Sequence, residues 1–185
     1  MELILASASP RRKEILIEYG FEFKVITSSY SESATLKNPK KLAVLFAENK
    51  AKDVFNSLKE KSDKVVLGAD TIVYYKGEIL GKPSGEEDAF NVLKKLSGNT
   101  HKVITGYAII GENISRKGYV VSKVKFNNLS DEQIKEYIKE KKPLDKAGAY
   151  GIQDDFPLVK KHKGSLKNII GLPIERLYRE LKKFI

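Results

Sequence analysis

Arg11 and Arg12 follow directly on Ser7-Ala8-Ser9-Pro10, and they are two of only five arginines among 34 basic residues. A planar guanidinium fork grips phosphate through two parallel hydrogen bonds, which a lysine ammonium does not do. The pair opens what reads as a helix. Hydroxyl, guanidinium and free backbone N–H groups therefore gather where the helix dipole favours an anion. Adjacent helical residues point about 100° apart, yet both arginines can reach an anion lying over the helix start. Each residue also has a plainer use, Ser9 as a helix cap and the arginines as a solvated face.

Asp70, in Leu67-Gly68-Ala69-Asp70-Thr71, follows an apolar run and has small residues beside it. A carboxylate there is costly to bury unless it is paired, bound to metal or used in chemistry. The other reading is a turn-forming Asp bonded to its own backbone. Lys82, in Gly81-Lys82-Pro83, lies beyond a hairpin that folds back toward Asp70, or is an exposed loop lysine. Glu32 in a polar loop and Lys50 in a helix carry the same two readings. Small residues in Leu144–Gln153 permit close approach of backbone to a ligand. Gln153 has the amide donor and acceptor that a base edge requires, although a loop amide serves equally as surface. With only His101 and His162 and no cysteine, a histidine-rich or thiolate metal site and a Ser/His/Asp triad have little to draw on. Neither a Walker loop nor GxGxxG occurs, so any metal is expected to be a hard cation held by carboxylates and phosphate oxygens.

The elements that must position these groups alternate along the chain. Leu3–Ala6 reads as a buried strand, followed by a helix with Ser9 as cap, Pro10 at its first position and Gly20 as its stop. Phe21–Ile26 reads as a short strand and Thr27–Lys37 as a loop. Asn38-Pro39 starts a helix with Leu42, Leu45, Phe46 and Val54 on one side. Val65–Leu67 is strand, expected to break at Gly68-Ala69-Asp70 and to resume over Thr71–Tyr75. A Lys76-Gly77 turn leads to a return strand, Glu78–Leu80. Ser84-x-x-Glu87 and Ser130-x-x-Gln133 read as capping boxes ahead of helices. Val103–Ile110 and Tyr119–Phe126 read as long antiparallel strands, Leu144–Gln153 as mainly loop, and Pro173 as the opening of a last helix. This pattern predicts α/β architecture with a mixed sheet.

The 185 residues suffice for one domain, or for two lobes sharing a cleft. No apolar run has the length that crosses a bilayer, and the apolar start reads as a first strand, not a leader. Absence of cysteine points to a cytoplasmic setting. The formal charge of +10 suits nucleic acid, a membrane surface or a small polyanion. The lysines are spread along the chain, with no basic run interleaved with aromatics, so nucleic acid is not the expected partner.

Taken together, Leu3-Ile4-Leu5-Ala6-Ser7-Ala8-Ser9-Pro10-Arg11-Arg12, Gly68-Ala69-Asp70-Thr71, Gly81-Lys82-Pro83, Leu96-Ser97-Gly98-x-x-His101, Asp145–Gln153 and Gly171-Leu172-Pro173 resemble the Maf family of nucleoside triphosphate pyrophosphatases, in the family's order across nearly the whole chain. The resemblance implies a single Maf-like domain over 1–185, an elongated mixed sheet flanked by helices with a central cleft, and a homodimer. It implies metal-dependent hydrolysis, with Mg²⁺ or Mn²⁺, of a nucleoside triphosphate to the monophosphate and pyrophosphate. Asp70 matches the family's proton acceptor. Arg12, Thr71 and Gln153 match the positions that mark the dTTP/UTP branch. Ser9, Arg11, Lys50 and Lys82 match positions that touch phosphate, and Glu32 an acidic position near the metal, which Asp70 would share. Three departures stand out. Ser31 occupies a position usually Asp, Asp154-Asp155-Phe156-Pro157 replaces a glycine-rich turn, and Thr105-Gly106 replaces Thr-Ala. Two rival readings are a nucleic-acid-binding or cell-division regulatory protein and a pyrophosphatase for deaminated purine triphosphates.

Overall fold

Leu3, Ile4 and Leu5 are buried and form β1 (Glu2–Leu5), which pairs in parallel with β2 (Lys24–Val25) and with β3 (Lys64–Tyr75). The computed structural model describes residues 1–33 and 36–185, so Ala34 and Thr35 of the expected loop lie outside the described residues. The remaining elements are α1 (Pro10–Glu18), α2 (Pro39–Ser57), β4 (Glu78–Leu80), α3 (Glu86–Leu96), β5 (Thr100–Gly111), β6 (Ile114–Phe126), α4 (Asp131–Lys141), β7 (Val159–Lys163), α5 (Leu166–Ile170) and α6 (Ile174–Leu181). Seven strands form one mixed sheet in the order β2-β1-β3-β5-β6-β7, with β4 antiparallel on β3 and β7 antiparallel on β6. The α/β expectation is thus met.

The described chain divides into two compact units. One comprises Met1–Thr71, Thr105–Val120 and Gly171–Ile185, and the other Ile72–Ile104 and Val121–Ile170. In the first, Ile4, Ala6, Val66, Ala108 and Ile110 of the sheet pack on Ala47, Ala51, Val54 and Phe55 of α2. In the second, Leu93 and Leu96 of α3 and Ile134, Tyr137 and Ile138 of α4 pack on Val73, Val103, Val124 and Phe126.

β3 corrects one expectation. It runs unbroken through Gly68-Ala69-Asp70 for 12 residues. The small residues there do not end the strand; they let a helix come close. A Cβ on Gly68 would lie 2.2 Å from the Ala47 carbonyl oxygen, and one on Gly106 would lie 2.3 Å from that of Ala43. Ala43, Ala47 and Ala51 recur at helical spacing and are wholly buried, so α2 meets β3 and β5 through a smooth face.

Local signals succeed and fail for identifiable reasons. The Asn38 side chain accepts from the Lys40 and Lys41 N–H groups, and Ser130 with Gln133 forms a complete capping box. The Ser84–Glu87 box does not form. Gly85 is the cap of α3, and Ser84 instead donates its N–H and hydroxyl to Asp88. At Ser9 the backbone takes the cap position with Pro10 following, but its side chain makes no capping bond. The Phe21–Ile26 strand contracts to Lys24–Val25, which pair in register with Ile4 and Leu5, while the Ile26 N–H still donates to the Leu5 carbonyl at 3.2 Å where β1 ends. β7 and α5 were not expected: Val-Lys-Lys-His-Lys carries no alternation, being an exposed edge strand, and α5 has only five residues.

Candidate functional site

Side chains alternate across a strand. Gly68 and Asp70 therefore share the face of β3 that α2 covers, while Thr71 turns to the other face. The close approach at Gly68 places Lys50, three residues beyond Ala47, over Asp70. The Lys50 ammonium donates to Asp70 Oδ1 at 2.7 Å and lies 2.5 Å from Glu32 Oε1. One ammonium thus joins a carboxylate from the strand core and one from the loop between β2 and α2.

Asp70 is 7% exposed. Burial holds its carboxyl above the ordinary carboxylate range; the positive charges of Lys50 and Arg12 oppose this, and Glu32 reinforces it. The result is a more basic carboxylate than a solvated Asp, kept among cations. An acid tuned in this way is equipment for proton transfer.

On the other face, Arg12 reaches inward from the first turn of α1. Its Nε donates to the Gly171 carbonyl at 2.9 Å, Nη1 to Ser7 Oγ at 3.0 Å and Nη2 to Thr71 Oγ1 at 3.2 Å. Thr71 Oγ1 also lies 3.0 Å from Thr105 Oγ1. Arg12 is therefore a strut tying three distant segments of chain, and its fork is directed at protein acceptors and not outward over the helix start. Burial draws its guanidinium below its usual basicity while the Asp70 charge acts against this, which puts Arg12 and Asp70 in one electrostatic neighbourhood. Gly171 has φ +134°, and the nearest atoms to a Cβ there would belong to Thr71 and Arg12. A left-handed backbone aims the carbonyl at the guanidinium, which few other residues would allow. The Ser7 hydroxyl additionally accepts from the Ser9 N–H at 3.2 Å, folding the turn that sets the direction of α1.

Ser9, Arg11, Arg12, Glu32, Lys50, Asp70 and Thr71 all belong to the first unit. Lys82 and Gln153 belong to the second, both exposed in turns. There the Gly148 N–H donates to the Gly81 carbonyl at 2.9 Å, which joins the turn carrying Lys82 to the segment that leads to Gln153. Sequence reasoning did not assign Thr105 or the Gly171 carbonyl to this network. The Gly171-Leu172-Pro173 triplet was the available signal, since a glycine ahead of a helix-opening proline marks a special backbone.

Among the described residues no three His, Cys, Asp or Glu side chains gather as a metal cage. Asp70 and Glu32 are joined through one ammonium, so two carboxylates converge on a single cationic centre. Two carboxylates completed by substrate oxygens are a donor set that suits Mg²⁺ or Mn²⁺.

A buried, basic carboxylate held among cations defines a site for chemistry on an anionic substrate. The chain belongs to the Maf family, whose profile, described as "Maf-like protein", matches residues 2–184. A dTTP/UTP pyrophosphatase of Thermococcus onnurineus is 47% identical over 178 residues, which is 96% of this chain and 95% of that protein. One from Lachnoclostridium phytofermentans is 42% identical, with 99% and 95% covered. One from Bacillus cereus is 45% identical, again with 99% and 95% covered.

Proposed function

We propose that the protein hydrolyses dTTP and UTP to the nucleoside monophosphate and pyrophosphate. The observation that carries this reading is the Asp70–Lys50–Glu32 junction beside Arg12, in a chain whose curated relatives of near-equal length bear that activity in their names. Asp70 orients a water, takes its proton and directs it in line at the α-phosphorus. Its raised basicity favours that transfer near neutral pH. Lys50, Arg11, Lys82 and the Ser9 region neutralise a triphosphate whose charge is about −4. Arg12 holds Thr71 in place, and Thr71 with Gln153 reads the pyrimidine edge. Glu32 and Asp70 are the residues that would hold Mg²⁺ or Mn²⁺, and the ion would supply charge neutralisation for the pyrophosphate leaving group. No helix among the described residues is long and apolar enough to cross a membrane. The reading includes a cytoplasmic setting and a homodimer.

The test is a panel of dTTP, UTP, CTP, dGTP, ITP and ATP, with pyrophosphate and orthophosphate release measured separately, with and without chelator. Pyrophosphate release that favours dTTP and UTP and ceases with EDTA is expected. Orthophosphate release, or preference for ITP, overturns the reading.

A further inference from the structure

Gln153 stands in a four-residue turn closed by the Asp154 N–H donating to the Gly151 carbonyl at 3.2 Å. One side chain grips both ends of that turn. The Tyr137 hydroxyl, from the buried face of α4, accepts from the Gly151 N–H at 3.0 Å and donates to Asp154 Oδ2 at 2.6 Å. The Lys146 ammonium lies 3.3 Å from the same oxygen. A Cβ on Gly151 would come within 2.4 Å of Asp154 Oδ1, so the carboxylate folds back into space that only a glycine leaves open. Phe156 packs against the Tyr137 ring at 5.2 Å. Both Asp154 and Phe156 come from the segment that departs from the family's glycine-rich pattern. Loose turns carry exposed side chains through many orientations at an entropic cost on binding. Here that freedom is removed in advance by a hydroxyl anchored in the core, Tyr137 being fully buried.

We propose that Tyr137 and Asp154 are positioning residues for base selection: by clasping both ends of the 151–154 turn they present Gln153 preorganised to a pyrimidine triphosphate. This rests on the reading of Gln153 as a base-contacting residue. The clasp acts on recognition and leaves the reacting phosphorus to other groups, so its loss appears in KM for dTTP and UTP and not in kcat.

The experiment is a double-mutant cycle of Tyr137→Phe and Gln153→Ala in the full chain, assayed by pyrophosphate release with dTTP, UTP and dGTP. Tyr137→Phe keeps the ring in the core and removes only the hydroxyl. It is expected to raise KM for dTTP and UTP about fivefold, the scale of one hydrogen bond, with kcat and the dGTP rate unchanged. In the Gln153→Ala background it adds less than twofold, because the two residues act through one contact. Equal effects of Tyr137→Phe with and without Gln153, or a fall in kcat for all three substrates, overturn the proposal and leave the hydroxyl a purely structural role. Should Gln153→Ala leave the dTTP-to-dGTP preference untouched, the base-contacting reading itself fails and takes this one with it. Asp154→Ala, which spares the α4 core, serves in the same cycle if Tyr137→Phe does not fold, with the same outcomes.

Discussion

At the scale of single residues, Asp70 is a carboxylate placed where water is scarce and cations compensate. Its removal as Asp70→Asn keeps shape and hydrogen bonding but takes away the base. Turnover is expected to fall by about 10²- to 10⁴-fold, with triphosphate binding by calorimetry largely retained; near-normal turnover would show that another group activates the water. His101 shows the same physics without a compensating charge. It is almost wholly buried, its Nε2 lies 2.8 Å from the Tyr150 hydroxyl and its Nδ1 has no hydrogen-bond partner among the described residues. Burial pushes its pKa down from 6.5 to about 4. The folded protein therefore keeps the ring neutral while the unfolded chain takes up a proton near pH 6.5. Stability contributed by the neutral ring is complete above that value and is lost as pH falls toward 4, by up to about 3 kcal/mol. Urea unfolding at pH 7 and pH 5 should show this loss, and His101→Gln should shrink the difference between the two. An unchanged difference would mean that carboxylates alone govern the acid limb.

At the scale of elements, the contact of α2 with β3 and β5 decides where Lys50 stands. Alanine at position 68 would place a methyl carbon 2.2 Å from the Ala47 carbonyl, an overlap that only movement of the helix relieves. Gly68→Ala is expected to cost about 2–3 kcal/mol of stability and to lower kcat together, since moving α2 separates the Lys50 ammonium from Asp70. Thermal melts and steady-state rates check this; a folded variant with lowered stability but full kcat would uncouple the helix position from the chemistry. The sequence disclosed α2 itself through Asn38-Pro39 and its apolar spacing, but not the closeness of its packing. Gly68-Ala69 looked like a strand end because small residues are common in turns. The same residues serve close helix–sheet approach, and only the partner surface of Ala43, Ala47 and Ala51 distinguishes the two uses. β7 escaped notice for a related reason: an exposed edge strand needs no buried side and so leaves no period-two trace.

At the scale of the whole molecule, a net charge of +10 favours the approach of a highly charged anion. Raising NaCl from about 50 to 500 mM should lower kcat/KM for dTTP severalfold, because the Debye length shrinks from well over 10 Å at low salt toward 3 Å, while kcat at saturation changes little. A salt-insensitive kcat/KM would assign the surface lysines to solubility alone. The residue types that do the chemistry, the order of helices and strands, and membership of the family were all legible in the chain, because they depend on composition, spacing and short-range periodicity. What the amino-acid order left open was which groups meet. Ser7, Arg12, Thr71, Thr105 and Gly171 form one hydrogen-bonded set, although the directly bonded Arg12 and Gly171 stand 159 positions apart. Tyr137, buried on α4, holds the turn of Gln153 by its hydroxyl. Such pairings arise from sheet order and from helices seated on small residues, and no local pattern along a chain encodes how far apart two distant segments come to rest.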